Sequence, residues 1–302
     1  MIPEALAVFL LAVAFDLLLG EPPAPVHPVV WIGRLISALK SLARPTRASG
    51  LALAAAVIAT TVLAGHTLVA ITAPVPLLSL LVPAYLLKST FAIRCLLQVS
   101  GDIGRAIERD MGEARRMLPA LVGRSTSDLS ETQARSAVIE SLSENYVDSI
   151  LSPIFYYLLL QPAGLGVEAA LAFKAISTMD SMIGYRTEDL RELGFAGARL
   201  DDLANLIPAR LSILFLALAS PSRAAAAIKG ALQYNSATPS PNSGWPMSAF
   251  AASLGVRLEK PGFYILFEEG RDPDPSDLPR ALGLMERAVA LTLAAALLTL
   301  LL

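Results

Sequence analysis

LALAAAVIATTVLAGHTLVAITA, residues 51–73, carries no charged side chain. A helix needs about 20 mostly apolar residues to cross roughly 30 Å of hydrocarbon, and this stretch supplies them. Its reading sets the fold class as an all-α, polytopic integral membrane protein. Working outward, residues 77–97 read as another span, with Lys88 and Arg94 in the later half. Residues 5–20 read as a third, interrupted by Asp16. Residues 281–302 form a fourth, with Glu286 and Arg287 near its start, where long side chains can snorkel to the interface. No Lys or Arg precedes the first apolar run and Glu4 does, so it reads as a retained membrane segment rather than a secretory signal.

Composition agrees. Of the 302 residues, 54% are hydrophobic and 17% charged, against about a quarter charged in soluble domains; the mean hydropathy is +0.57. A net charge of −2 argues against a nucleic-acid partner. The single cysteine, Cys95, excludes an intrachain disulfide, and two histidines, His27 and His66, are too few for a His-rich zinc site. A metal here is expected to be a hard cation held by oxygen, Mg²⁺ above all.

Two further apolar stretches are too interrupted to be ordinary spans. Residues 150–160 end at Gln161-Pro162 and resume at 165–179. Residues 203–219 contain Pro208 and Arg210, break at Ser220-Pro221 and resume at 224–232. Each reads as a helical hairpin that dips in and returns, an arrangement tolerated where it is packed in protein or lines a cavity. The expected organisation is 1–97, N-terminal spans with a Pro-rich loop; 98–280, helices, broken hairpins and polar active-site loops; and 281–302, a last span, together one functional domain. Residues 21–50 hold Arg34, Lys40, Arg44 and Arg47 against Glu21, and the turn at Pro74 and Pro76 is uncharged. Basic loops stay inside, so the first loop and residues 99–148 are expected on the cytoplasmic face. Ser130 with Gln133 three residues on is a capping box that opens a helix.

Five constellations could carry chemistry. In ESLSENYVDS, 140–149, Glu140, Glu144 and Asp148 recur every fourth residue and would stripe one helix face, opposite Ala134, Val138, Leu142 and Tyr146. A solvated face is the plain reading; the stripe's position against an apolar segment favours use. In FKAISTMDSMIGYR, 173–186, Lys174, Asp180 and Arg186 form either a structural ion pair or a phosphate-binding set. In ARLDDLANLIPAR, 198–210, Asp201 and Asp202 with Asn205 could hold Mg²⁺ against phosphates, flanked by Arg199 and Arg210, or could simply cap a helix. Residues 234–255, rich in Asn, Ser, Pro and Gly, read as an ordered loop presenting Asn235, Asn242, Ser243 and Trp245. Residues 16–34 carry Asp16, four prolines and His27, either a packed interfacial histidine or a base. His66, in mid-span, reads as structural. P-loop, dinucleotide-binding and G-x-S-x-G motifs are all absent.

Taken together, D-L-L-L-G-E-P-P…H-P-V-V-W-I-G, E-S-L-S-E-N-Y-V-D-S-I-L-S-P, T-M-D-S-M-I-G-Y-R, A-R-L-D-D-L-A-N-L-I-P-A-R and N-S-G-W-P resemble the CbiB/CobD family, the adenosylcobinamide-phosphate synthases of cobalamin biosynthesis. The likeness runs from about Asp16 to Tyr264 with the motifs in order. Glu21 stands where the family usually has Asp, which keeps the carboxylate. The resemblance implies ATP-dependent ligation of (R)-1-aminopropan-2-ol O-phosphate, or a related amino alcohol, to the propionate carboxylate of adenosylcobyric acid. It implies ATP as co-substrate and Mg²⁺, with Asp201 and Asp202 as the candidate metal ligands. Glu140, Glu144, Asp148, Asp180 and His27 would be catalytic candidates. Lys174, Arg186, Arg199, Asn205, Arg210, Asn235, Asn242, Ser243 and Trp245 would bind substrate. The partners implied are the corrinoid, the lipid bilayer and further copies of the chain or other pathway enzymes, with the site at the cytoplasmic side of the cell membrane. Rival classes are a membrane phosphotransferase or prenyl-diphosphate enzyme, suggested by Asp201-Asp202, a small-solute transporter using Asp16, Lys88 and Arg94, and a signalling protein of the AmpE type.

Overall fold

The structure is a computed structural model describing residues 3–185 and 187–302. In chain order its helices are α1 (Glu4–Leu19), α2 (Pro28–Leu42), α3 (Arg47–Thr72), α4 (Leu78–Lys88), α5 (Ile93–Arg109), α6 (Met111–Met117), α7 (Glu131–Tyr146), α8 (Ser152–Leu160), α9 (Gly166–Ile183), α10 (Phe195–Ala204), α11 (Leu206–Ala219), α12 (Ala224–Tyr234), α13 (Gly244–Leu254) and α14 (Asp277–Leu301). Two short strands, β1 (Leu258–Lys260) and β2 (Tyr264–Leu266), pair antiparallel between α13 and α14.

Among the described residues, Arg47–Thr72, Leu78–Arg109 and Asp277–Leu301 are long and apolar enough to cross a membrane, and α10 with α11 pass the same test as a pair broken at Asn205. Three helices of this length and composition point to a membrane protein. Only 17% of the apolar window of α3 is buried, so most of its apolar surface is left for lipid. The stretch Leu78–Arg109 is interrupted at Ser89–Ala92, where Ser89 and Thr90 hydroxyls donate to the carbonyls of Leu86 and Leu87.

The chain forms two compact units. Unit 1 comprises residues 1–92, 152–205 and 296–302. Its core joins Ile36 of α2, Val57 of α3, Met179 of α9 and Ala196 of α10. Helix α3 fits closely: a Cβ at Gly50 would collide with the Leu193 carbonyl, so only glycine permits that approach. His66 Nδ1 lies 2.9 Å from Glu168 Oε1, joining α3 to α9, the structural role read from the sequence. The first interrupted stretch is α8, a tight turn at Gln161–Ala163 closed by left-handed Gly164, and α9.

Unit 2 comprises residues 93–151 and 206–295. Helix α7 is opened by the expected capping box, with Ser130 Oγ accepting from Gln133 N and Gln133 Oε1 accepting from Ser130 N. It is buried on nearly every side from Ala134 to Ser143, which takes Glu140 out of solvent. After Tyr146 the helix widens into a π-turn, Val147–Leu151, so Asp148 leaves the four-residue stripe that Glu140 and Glu144 begin. The second interrupted stretch is α11, a 3₁₀ turn at Pro221–Arg223 and α12.

One expectation is corrected. Residues 234–255 are not one loop: Gly244–Leu254 is helix α13. Pro246 falls in its first turn, where no backbone N–H is required of it, and Met247–Leu254 is a run of compatible residues. The fold is mostly helical, as expected, with β1 and β2 as a small hairpin at Gly262.

Candidate functional site

In unit 1, α9 and α10 carry the acids. Asp180 ends α9, and burial and then the Asp202 charge hold its carboxyl above the usual range. Asp201 and Asp202 lie in the last turn of α10, which has no basic residue. Acids there oppose the helix dipole, so they are not N-caps, and the position favours a nearby cation. The two carboxylates have different partners. Asp202 Oδ2 meets Arg199 Nη1 at 3.3 Å. Asp201 Oδ2 accepts from Asn205 Nδ2 at 3.1 Å. Asn205 is buried, and its Oδ1 accepts from Ser152 Oγ at 2.7 Å, so its amide is a structural tie at the break between α10 and α11. Lys174 sits on α9, six residues before Asp180; Arg186 lies outside the described residues.

A second charged group in unit 1 joins the end of α1 to the end of α4. Lys88 Nζ lies 2.8 Å from Asp16 Oδ1, 2.7 Å from Glu21 Oε1 and 3.2 Å from the Phe91 carbonyl. His27 caps α2 by accepting from Val29 N at Nδ1, so its proton is on Nε2, which donates to Glu21 Oε2 at 2.9 Å. Burial raises the Glu21 pKa, but hydrogen bonds and charge from His27 and Lys88 outweigh it and leave the carboxyl below its usual value. Both His27 nitrogens are thus engaged in holding the Pro-rich turn.

In unit 2, Glu140 is buried with three donors on it. Arg124 Nη2 at 3.3 Å and Ser136 Oγ at 3.0 Å reach Oε1, and the Tyr264 hydroxyl reaches Oε2 at 2.9 Å. The β-hairpin delivers Tyr264: Lys260 pairs with Tyr264 in register, and Glu259 N donates to Ser136 Oγ at 2.8 Å. Burial, then the charge and hydrogen bond of Glu140, push the Tyr264 hydroxyl far up, with Glu144 adding to the effect; it acts as a donor. Glu144 and Asp148 are partly exposed.

Elsewhere in unit 2, Arg210 brings together three expected residues. Its guanidinium lies 4.9 Å from the Trp245 ring centre and its Nη1 donates to Asn242 Oδ1 at 3.2 Å. Asn235 Nδ2 donates to the carbonyls of Ala231 and Leu232 and caps α12. Ser243 Oγ donates to Thr238 Oγ1 at 3.1 Å, stitching the turn before α13. Among the described residues, no group of three or more His, Cys, Asp or Glu side chains converges as a metal site.

Against known proteins, residues 9–291 match the family described as CobD/CbiB protein. The chain belongs to the CobD/CbiB family. It is 50% identical over 295 residues to a probable cobalamin biosynthesis protein CobD of Methanothrix thermoacetophila, covering 94% of this chain and 93% of that one. It is 39% identical over 301 residues to the cobalamin biosynthesis protein CobD of Rhodobacter capsulatus, covering 94% of each, and 36% identical over 299 residues to that of Klebsiella pneumoniae, covering 92% of each. No solved structure matches the chain.

The residues that complete these clusters were not singled out from the CobD/CbiB motifs. Arg124, Ser136 and Tyr264 surround Glu140, and Lys88 bridges Asp16 and Glu21. Lys88 had one readable signal, a cation inside an apolar stretch. Tyr264 had none, because its role depends on strand register 124 residues from Glu140.

Proposed function

We propose that this membrane enzyme of cobalamin biosynthesis forms an amide between the propionate carboxylate of adenosylcobyric acid and the amine of (R)-1-aminopropan-2-ol O-phosphate or a related amino alcohol. The observation that carries the reading is the family match over residues 9–291. The carboxylate oxygen attacks the γ-phosphorus of ATP and ADP departs, leaving an acyl phosphate. The amine, having lost a proton, attacks the carbonyl carbon, and the C–O bond breaks to release inorganic phosphate and adenosylcobinamide phosphate.

The chain's own residues divide this work. Asp180, with its raised pKa, accepts the ammonium proton more readily than an ordinary carboxylate does. In unit 1, Lys174 and Arg199 are the cations for phosphate groups. Glu140 orients Arg124 and Tyr264, and His27 positions the turn before α2. Mg²⁺ fits at Asp202, where Asp180 adds like charge and the helix end adds more; one or two carboxylates plus substrate phosphates suffice for this ion. It would neutralise phosphate charge. Asp201 Oδ2 is engaged by Asn205, so Asp202 is the carboxylate assigned first to the ion. The site would face the cytoplasm of a multi-pass protein in the cell membrane.

Incubation of purified protein with adenosylcobyric acid, amino alcohol phosphate and MgATP tests the reaction by mass analysis of the corrinoid. The amide is expected, with ATP consumption dependent on the corrinoid. Unmodified corrinoid from folded protein, beside a working synthase, overturns it.

A further inference from the structure

Outside all the motifs above, unit 2 contains a cavity of about 420 Å³. Arg223, Arg280 and Arg287 line it together with Ser220, Ser222 and Ser253, and no lining side chain is acidic. Each guanidinium is fixed by a carbonyl at a helix end. Arg223 Nη2 donates to Ala252 O at 2.9 Å and Arg280 Nη2 to Leu254 O at 3.0 Å, both at the end of α13. Arg287 Nε donates to Ala219 O at 2.8 Å, at the end of α11. Gly255, in the left-handed region at φ 73°, closes α13, and a Cβ there would come within 3.0 Å of Arg223 Nη2.

These bonds leave donors over. A guanidinium has five N–H groups, and the protein bonds of Arg223 and Arg287 occupy one each. Arg280 also donates to Asp277 Oδ1 at 2.6 Å, but Asp277 is shared with Arg271. Against three guanidiniums stand that shared carboxylate and roughly half a charge at each of two helix C-termini, so the cavity stays cationic. Helix α12 starts at its edge with no side-chain cap, and uncapped helix N-termini attract anions. We propose that this cavity binds a phosphate group, through the spare donors of Arg223 and Arg287 and the serine hydroxyls.

The phosphate has two possible sources, and the proposal does not depend on the ligase reading. Pro279, Arg280, Gly283, Leu284 and Arg287 lie on one face at the start of α14, a helix able to cross a membrane, so a phospholipid headgroup would reach the cavity. A water-soluble phosphate would reach it from the other side of its open mouth. The test uses the full chain in nanodiscs, as wild type, as Arg223→Gln with Arg287→Gln, and as Gly283→Leu. The last puts an apolar side chain into the cavity without removing a guanidinium; a Cβ at 283 meets Arg287 Nη1 at an ordinary 3.5 Å. One arm titrates inorganic pyrophosphate in phosphatidylcholine discs; the other measures phosphatidylglycerol retained from mixed discs by native mass spectrometry. Binding in either arm that falls about tenfold in both variants, the loss of charge-assisted hydrogen bonds, supports the site and names its source. No binding in either arm, or binding that Gly283→Leu leaves unchanged, overturns it.

Discussion

Lys88 Nζ lies 2.8 Å from Asp16 Oδ1, and the two side chains are 2% and 0% exposed. A buried ion pair contributes little net of desolvation, yet removing one partner strands the other charge. Lys88→Met is expected to destabilise the protein by about 3–5 kcal/mol, and adding Asp16→Asn should recover much of that. Thermal unfolding of the two variants in detergent checks it; equal losses in both would show that the pair is not coupled.

Asp180→Asn should stabilise the protein at neutral pH while abolishing turnover. The folded-state pKa is raised, above about 3.9 in an unfolded chain. Ionisation therefore opposes folding once pH rises through the folded value, and the penalty is absent below the unfolded value. The stability gain of Asp180→Asn over wild type should accordingly shrink as pH falls toward 4. A pH-independent difference in melting temperature would contradict it.

Asp202→Ala is expected to lower turnover at least about 100-fold, the upper range for disturbing a metal's surroundings, with membrane insertion intact. Asp201→Ala, which removes the Asn205 hydrogen bond, should act mainly on stability, by about 1–3 kcal/mol. Rate and melting temperature measured together separate the two; the reverse pattern would exchange their roles.

Tyr264→Phe leaves buried Glu140 with one donor fewer and should cost about 1–3 kcal/mol. Replacing Glu140 with Gln in the same chain should cost less than the sum, because the two share one hydrogen bond. Strict additivity in unfolding experiments would dissolve the network.

Ser127→Cys and Ser240→Cys, each in a Cys95→Ser background, should resist impermeant thiol reagents in intact cells and react after lysis. Labelling of either from outside would overturn the cytoplasmic site.

What could be read in the sequence is what local chemistry dictates. Charge-free 51–73 became α3, Ser130 and Gln133 became a capping box, and the breaks at Gln161-Pro162 and Ser220-Pro221 became turns between paired helices. Proline and serine density misled at 244–254, because Pro246 sits where a helix tolerates it. Spacing set Glu140, Glu144 and Asp148 on one stripe but missed the π-turn that displaces Asp148. The Asn205 hydrogen bond to Asp201, and both engaged nitrogens of His27, depend on partners that no spacing encodes.

Unit 1 is assembled from chain segments made at different times. Residue 168, which receives His66, emerges 102 residues after it, and at about 5–20 residues per second that is a delay of roughly 5–20 s. Helix α3 is therefore synthesised well before α9 exists to cover Gly65 and His66. During that interval the nascent helix has only its earlier neighbours, α2 above all, and its surroundings to cover it, so a ribosomal pause or truncation between 72 and 166 would leave an unfinished bundle for the cell to hold or degrade.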